Sequence, residues 1–157
     1  MSRVLLVVDG ANTVGSRPDG WWRDRPGAAR RLADRLAALR AAAPGLLVPP
    51  GAAGAEAAAG RTAVPVVLVL EGAARRGVPE GDHGGVRVVH AAGEGDDRVV
   101  EVAREARDED PTRPVVVVTA DRGLRARLAA VGAAAVGPGW LLGLPLPPAA
   151  DAPGAGL

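Results

Sequence analysis

Four Val-rich runs punctuate this chain: "RVLLVV" ahead of Asp9, "VPVVLVL" ahead of Glu71, "VRVVH" over 86–90, and "PVVVVT" shortly before Asp121. Unbroken β-branched runs of this length predict strands buried on both faces, as in a parallel sheet covered by helices. A weaker run, "AAAVG" over 133–137, predicts an edge strand. Between the runs the apolar spacing becomes helical. Leu32, Leu36 and Leu39 share one face, as do Val99, Val100, Ala103 and Ala106, and then Leu124, Leu128 and Val131. Strands alternating with helices imply an α/β sandwich with right-handed crossovers. Two stretches stand outside this scheme. Residues 44–63 mix Pro, Gly and Ala and read as a loop, a short helix or both. Residues 143–157 read as a mobile Pro/Gly/Ala-rich tail after a single folded unit over 1–142.

Composition narrows the chemistry. The 157 residues suffice for one domain with a real core, and 48% are apolar while only 2% are aromatic. The core must therefore be built from Val, Leu and Ala. All 19 basic residues are Arg, a bias expected of GC-rich coding, so the absence of Lys carries no chemical meaning. A formal net charge of +1 advertises neither nucleic acid nor membrane, and any partner has to be argued from local sites. Without cysteine there is no disulfide, thiolate metal site or thiol nucleophile. No signal-type segment and no apolar run of about 20 residues is present, so a soluble, cytoplasmic protein is expected.

The acids carry the chemical signal. Asp9, Glu71 and Asp121 each fall at or just beyond the carboxyl end of a predicted strand, and "GEGDD" places Asp96 and Asp97 at the start of a helix. A parallel sheet gathers its strand ends on one edge, where open α/β folds bind ligands. Carboxylates converging there repel one another unless protonated or neutralised by a cation. An oxygen-only donor set points to a hard ion, Mg²⁺ or Mn²⁺, and to hydrolysis of a phosphate ester. Each acid also has a plainer explanation. Asp121 suits an N-cap, Asp96 reads as the N-cap of its helix with Asp97 in the first turn, and Glu71 suits a solvated strand exit. Asp9 is harder to explain away, because no capped helix is expected directly after it. Asn12 is placed to brace it or to make a turn.

In this order, "VDGANTVG", "LVLEG", "GEGDDRVVEVA" and "VVTADRGLRARL" resemble the NYN domain of the PIN-like nuclease superfamily, in its YacP-like branch. The resemblance covers roughly residues 3–137. It implies a Rossmann-like three-layer sandwich with about five mostly parallel strands in the order 3-2-1-4-5, and an acid cluster that binds Mg²⁺ or Mn²⁺ for RNA cleavage. Matched position by position, it implies catalytic roles for Asp9, Asn12, Asp97 and Asp121. Asp9, Asp97 and Asp121 would be metal ligands, with Asp96 and Glu71 as further candidates. Glu71 stands where related sequences often carry Asp.

Arginines follow these acids closely, and Arg17, Arg122 and Arg125 are the candidates for substrate phosphates, alongside Arg23, Arg25, Arg75 and Arg76. Trp21 and Trp22 suit either base stacking or closure of the core. His83 and His90 lack ligand spacing. The leading expectation is a metal-dependent ribonuclease. A nucleotide pyrophosphohydrolase using the same acids, or a nucleic-acid-binding domain without turnover, are the alternatives. Neither G-x-x-x-x-G-K nor G-x-G-x-x-G is present to suggest a P-loop or a dinucleotide fold.

Overall fold

The computed structural model describes residues 4–50 and 64–146. The Val-rich runs form strands β1 (Leu5–Asp9), β2 (Val66–Leu70), β4 (Val86–His90), β5 (Val115–Val118) and β6 (Ala134–Val136), with a short β3 (Gly81–His83) ahead of β4. They make one sheet in the order β3-β4-β2-β1-β5-β6. All neighbours are parallel except β3 with β4. Without β3 this is the expected 3-2-1-4-5 order. The expectation of about five strands missed β3, whose residues are polar and largely exposed and so give no apolar alternation. A signal for it existed in Gly84-Gly85. His83 pairs with Val86 across these two glycines, which have φ of 58° and 88°. A two-residue hairpin with both central φ positive favours Gly-Gly.

The helices are α1 (Gly10–Gly15), α2 (Arg25–Ala42), α3 (Gly95–Glu109), α4 (Arg122–Ala130) and α5 (Pro138–Leu142). Side chains alternate across a strand, so the valines divide into two cores. Leu6, Val8, Leu68, Leu70, Val116 and Val118 meet Leu32, Leu36 and Leu39 of α2 on one face. Leu5, Val7, Val67, Val69, Val115 and Val117 meet Val99, Val100 and Ala103 of α3 and Leu124 and Leu128 of α4 on the other. Three layers result. Burying each such aliphatic side chain is worth about 1.5–3 kcal/mol, so the fully buried core is aliphatic, with Trp140 packed partly buried against the α2 side.

A 3₁₀ turn, Pro44–Leu47, opens the irregular stretch after α2, and residues 51–63 lie outside the described residues. Of the segment expected to be a mobile tail, the beginning is held. Arg35 donates through Nη2 to the carbonyls of Leu142 (2.9 Å) and Leu144 (2.7 Å). Residues 147–157 lie outside the described part. No helix among the described residues is long and apolar enough to cross a membrane.

One close approach fixes where α1 begins. A Cβ at position 10 would stand 2.5 Å from the Val69 carbonyl oxygen of β2. Gly10 therefore lets the chain turn into α1 directly at the end of β1. The carboxyl ends of β4, β2, β1 and β5 lie side by side beneath it.

Candidate active site

Asp9 ends β1 in the centre of the sheet and is 3% exposed. Contrary to expectation, a capped helix does follow it. Asp9 is the N-cap of α1, its Oδ1 accepting from the Asn12 backbone N–H at 3.3 Å. Its other oxygen accepts from the Thr119 hydroxyl at 3.0 Å. Burial is the main influence on this carboxyl and pushes it from 3.8 up to about 6. The hydrogen bonds from Asn12 and Thr119 oppose that rise, while the charges of Asp96 and Glu71 add to it.

The turn after β5 is laced to this corner. Thr119 is wholly buried, donates to Asp9 and accepts from the Asp121 N–H at 3.2 Å. The Asn12 side-chain carbonyl accepts from the Ala120 N–H at 2.8 Å. Asn12 thus braces the opposite turn through its side chain and Asp9 through its backbone. Thr119 had no role assigned from sequence, although it stands inside the quoted "VVTADR" motif. Asp121 is the N-cap of α4, with Oδ1 accepting from the Leu124 N–H at 2.9 Å.

The acids of α3 are arranged differently from expectation. The helix starts at Gly95 with Glu94 as its N-cap residue, so Asp96 is not the cap and both Asp96 and Asp97 lie in the first turn. Glu94 makes no capping bond through its side chain. Glu71 supplies one from β2, its Oε2 accepting from the Gly95 N–H at 3.1 Å. Successive residues on a helix are about 100° apart, so Asp96 and Asp97 face different ways. Asp96 is half-buried and feels the charges of Asp121, Glu71 and Asp9. Burial, then Asp121 and Glu71, raise its carboxyl above the ordinary value, with Arg127 opposing. Asp97 points to the exposed flank and pairs with Arg127 at 2.9 Å. Asp9, Asp96, Asp121 and Glu71 thus lie near enough along this edge for Asp96 to feel the charges of the other three, while Asp97 is exposed and paired with Arg127.

The candidate substrate arginines divide too. Arg125 donates through Nε and Nη2 to the Thr119 carbonyl (3.3 and 3.2 Å), which commits it to shaping the turn. Arg122 is exposed at the start of α4. Arg17 lies beyond α1, in the wall of a different cavity. Trp21 meets Trp22 edge-on at 6.0 Å, and Arg25 and Arg23 stack over their respective rings. Trp21 is half-buried and lines a cavity of about 230 Å³ with Gly10, Arg25, Leu70 and Glu71; Trp22 is exposed. His83 contacts Asp34 (2.7 Å), and His90, at the end of β4, is tied to the Val78 carbonyl (2.8 Å) and lines a shallow cavity with Glu94 and Asp97.

This fold resembles that of Rae1 (YacP) from Bacillus subtilis. Superposition on its crystal structure, determined for a point mutant, gives a TM-score of 0.62 with 18% sequence identity, over 88% of this chain and 72% of that one. At that identity the likeness is one of fold. YacP is also the branch whose motifs the sequence resembles. Neither a family model nor a curated protein matches the sequence.

Donor chemistry and spacing bear differently on a cation. The donors are all carboxylate oxygens, and both shifted acids are pushed toward protonation in part by their neighbours, the situation a hard divalent ion relieves. Among the described residues, however, no three His, Cys, Asp or Glu groups stand close enough to hold one ion. Asp9, Glu71 and Asp121 are each held by a hydrogen bond to a helix start. Asp96 makes no side-chain hydrogen bond among the described residues and is influenced instead by the charges around it.

Proposed function

We propose that this protein is a metal-dependent ribonuclease whose site is Asp9, Asp96 and Asp121, with Glu71 at its edge. The observation that carries this reading is the half-buried position of Asp96 in the first turn of α3, where the charges of Asp121, Glu71 and Asp9 bear on it at the carboxyl edge of a parallel sheet. The motif resemblance and the Rae1-like fold support it.

In this reading Asp9, Asp96 and Asp121 hold Mg²⁺ or Mn²⁺, with Asp96 turning inward to complete the set. A bound ion would supply an activated water and neutralise the phosphodiester under attack. Thr119 and Asn12 hold Asp9 and the β5–α4 turn in register, so that two acids from distant parts of the chain keep a fixed relation. Glu71 anchors the start of α3 and thereby the direction of Asp96. Arg122 is left exposed to meet a phosphate, and the Trp21 cavity lies beside Glu71 to take a base. Arg125 positions the turn, and Asp97 tunes Arg127 from outside the cluster.

The test is cleavage of end-labelled RNA by the full-length protein with and without Mn²⁺ or Mg²⁺, beside DNA and nucleoside triphosphates. Ion-dependent RNA cleavage that disappears in Asp9→Asn and Asp96→Asn, with folding retained, is the expected result. Release of pyrophosphate from triphosphates with RNA left intact would replace this reading with a pyrophosphohydrolase. Ion-independent RNA binding without turnover would make it a binding domain.

A further inference from the structure

A second cavity, of about 360 Å³, lies between α1, α2 and the chain just after α5, on the far side of α1 from the acids. Its volume is in the range of small-molecule sites. Its walls hold two polar groups that the fold itself leaves without partners. Thr13 is wholly buried and its hydroxyl has no hydrogen bond. Arg35 uses Nη2 to hold the carbonyls of Leu142 and Leu144, but its buried Nε is also unpaired. Buried polar groups are rarely left unsatisfied, and each such exception calls for a missing partner. Both can donate, but neither presents surface to the cavity, so what the cavity binds is set by the groups at its mouth.

The charges around the cavity agree. Arg17 and Arg31 stand at its exposed mouth, and neither pairs with a carboxylate among the described residues. Three guanidinium groups thus face one carboxylate, Asp19, whose Oδ1 accepts from the Trp21 N–H at 3.2 Å. Forked guanidinium donors match the oxygens of a phosphate. Leu32 and Leu142 give the same cavity an apolar wall. Val14 lines both this cavity and the one beside Glu71, so α1 is a partition between them.

We propose that this cavity binds the terminal phosphomonoester of a nucleotide, with Arg31 and Arg17 on the phosphate and the leucines against the sugar and base. The binding chemistry stands on the cavity itself, and the link to an RNA end rests on the ribonuclease reading. Such a site would let the enzyme grip a phosphorylated strand end, or a released mononucleotide, across α1 from the cutting acids.

Two measurements on the full-length protein test this. In calorimetric titration, AMP should bind at least 10-fold more tightly than adenosine. Arg31→Gln and Arg17→Gln should each weaken AMP at least 5-fold, whereas Thr13→Val should leave AMP binding unchanged while raising Tm, because valine removes an unpaired hydroxyl that is closed to the cavity and keeps the shape. In cleavage assays, one RNA sequence is offered with a 5′-phosphate, a 3′-phosphate or hydroxyl ends. One phosphorylated form should show at least 10-fold higher kcat/KM, lost in Arg31→Gln while cleavage of the hydroxyl-ended RNA is unchanged. Arg31-dependent AMP binding with no end preference would assign the site to free mononucleotides. AMP binding with no cleavage of any RNA would support the cavity and defeat the ribonuclease reading. Equal binding of AMP and adenosine, together with equal cleavage of all three RNAs, would overturn the proposal.

Discussion

The hydroxyl of Thr119 donates to the carboxylate of Asp9 at 3.0 Å, joining residues 110 positions apart in the chain. It also accepts from the Asp121 N–H, so a single threonine sets the spacing of the first and last acids of the cluster. Replacing it by valine keeps the shape and removes both contacts. Thr119→Val should lower stability by about 1–2 kcal/mol and raise the Asp9 carboxyl further, because a buried charge loses a donor. Urea unfolding measures the first effect. Carboxyl NMR titration measures the second, and an unchanged Asp9 would show that the bond contributes nothing.

Asp9 makes stability depend on pH. Its carboxyl holds its proton up to about 6 in the folded protein, against the ordinary 3.8 of an unfolded chain. Between these values the folded state binds more protons, so stability from this group is present below about pH 4 and is lost as pH rises through 6. Above that the cost is about 3 kcal/mol for a shift of this size. Asp9→Asn should therefore be more stable than the wild type at pH 7 by roughly 1–3 kcal/mol and nearly equal to it at pH 4. Thermal unfolding of both proteins across this range decides it, and a difference that shrinks toward neutral pH would contradict the assignment.

The two neighbouring aspartates of α3 should separate functionally. On the proposed reading Asp96→Asn should abolish ion-dependent cleavage, since Asp96 is the α3 acid on which the charges of Asp121, Glu71 and Asp9 bear. Asp97→Asn should retain most activity and change stability by no more than about 1 kcal/mol, as expected for an exposed pair with Arg127. Side-by-side cleavage rates are sufficient. Loss of activity in Asp97→Asn alone would reverse their roles.

Gly10→Ala tests the close packing of α1 on β2. The added methyl would meet the Val69 carbonyl at 2.5 Å and cost about 1–3 kcal/mol through forced displacement. Because α1 follows Asp9 directly, RNA cleavage should fall along with the denaturation midpoint. A variant of unchanged midpoint would mean that the helix shifts freely.

Much of this was legible before any coordinates. The β-branched runs identify the central strands because only residues buried on both faces can be apolar without alternation. The runs of leucine and valine at helical spacing identify the faces that cover them. Since parallel strands share a carboxyl edge, the placement of Asp9, Glu71 and Asp121 at strand ends was enough to bring them together. Strand β3 gave no apolar pattern because it is polar and exposed, and its cue was the Gly84-Gly85 turn.

What the sequence determined by itself was the layer order and the edge on which the acids collect, both consequences of periodicity and topology. What only the tertiary structure decided was direction. Which of Asp96 and Asp97 is turned toward the sheet edge depends on the residue at which α3 begins, and at that start Glu71, just beyond β2, accepts from the Gly95 N–H. A change of one residue rotates a helix by about 100°, and no local pattern in "GEGDD" fixes that angle. The same holds for Thr119, whose partner Asp9 is a neighbour only once β1 and β5 lie side by side.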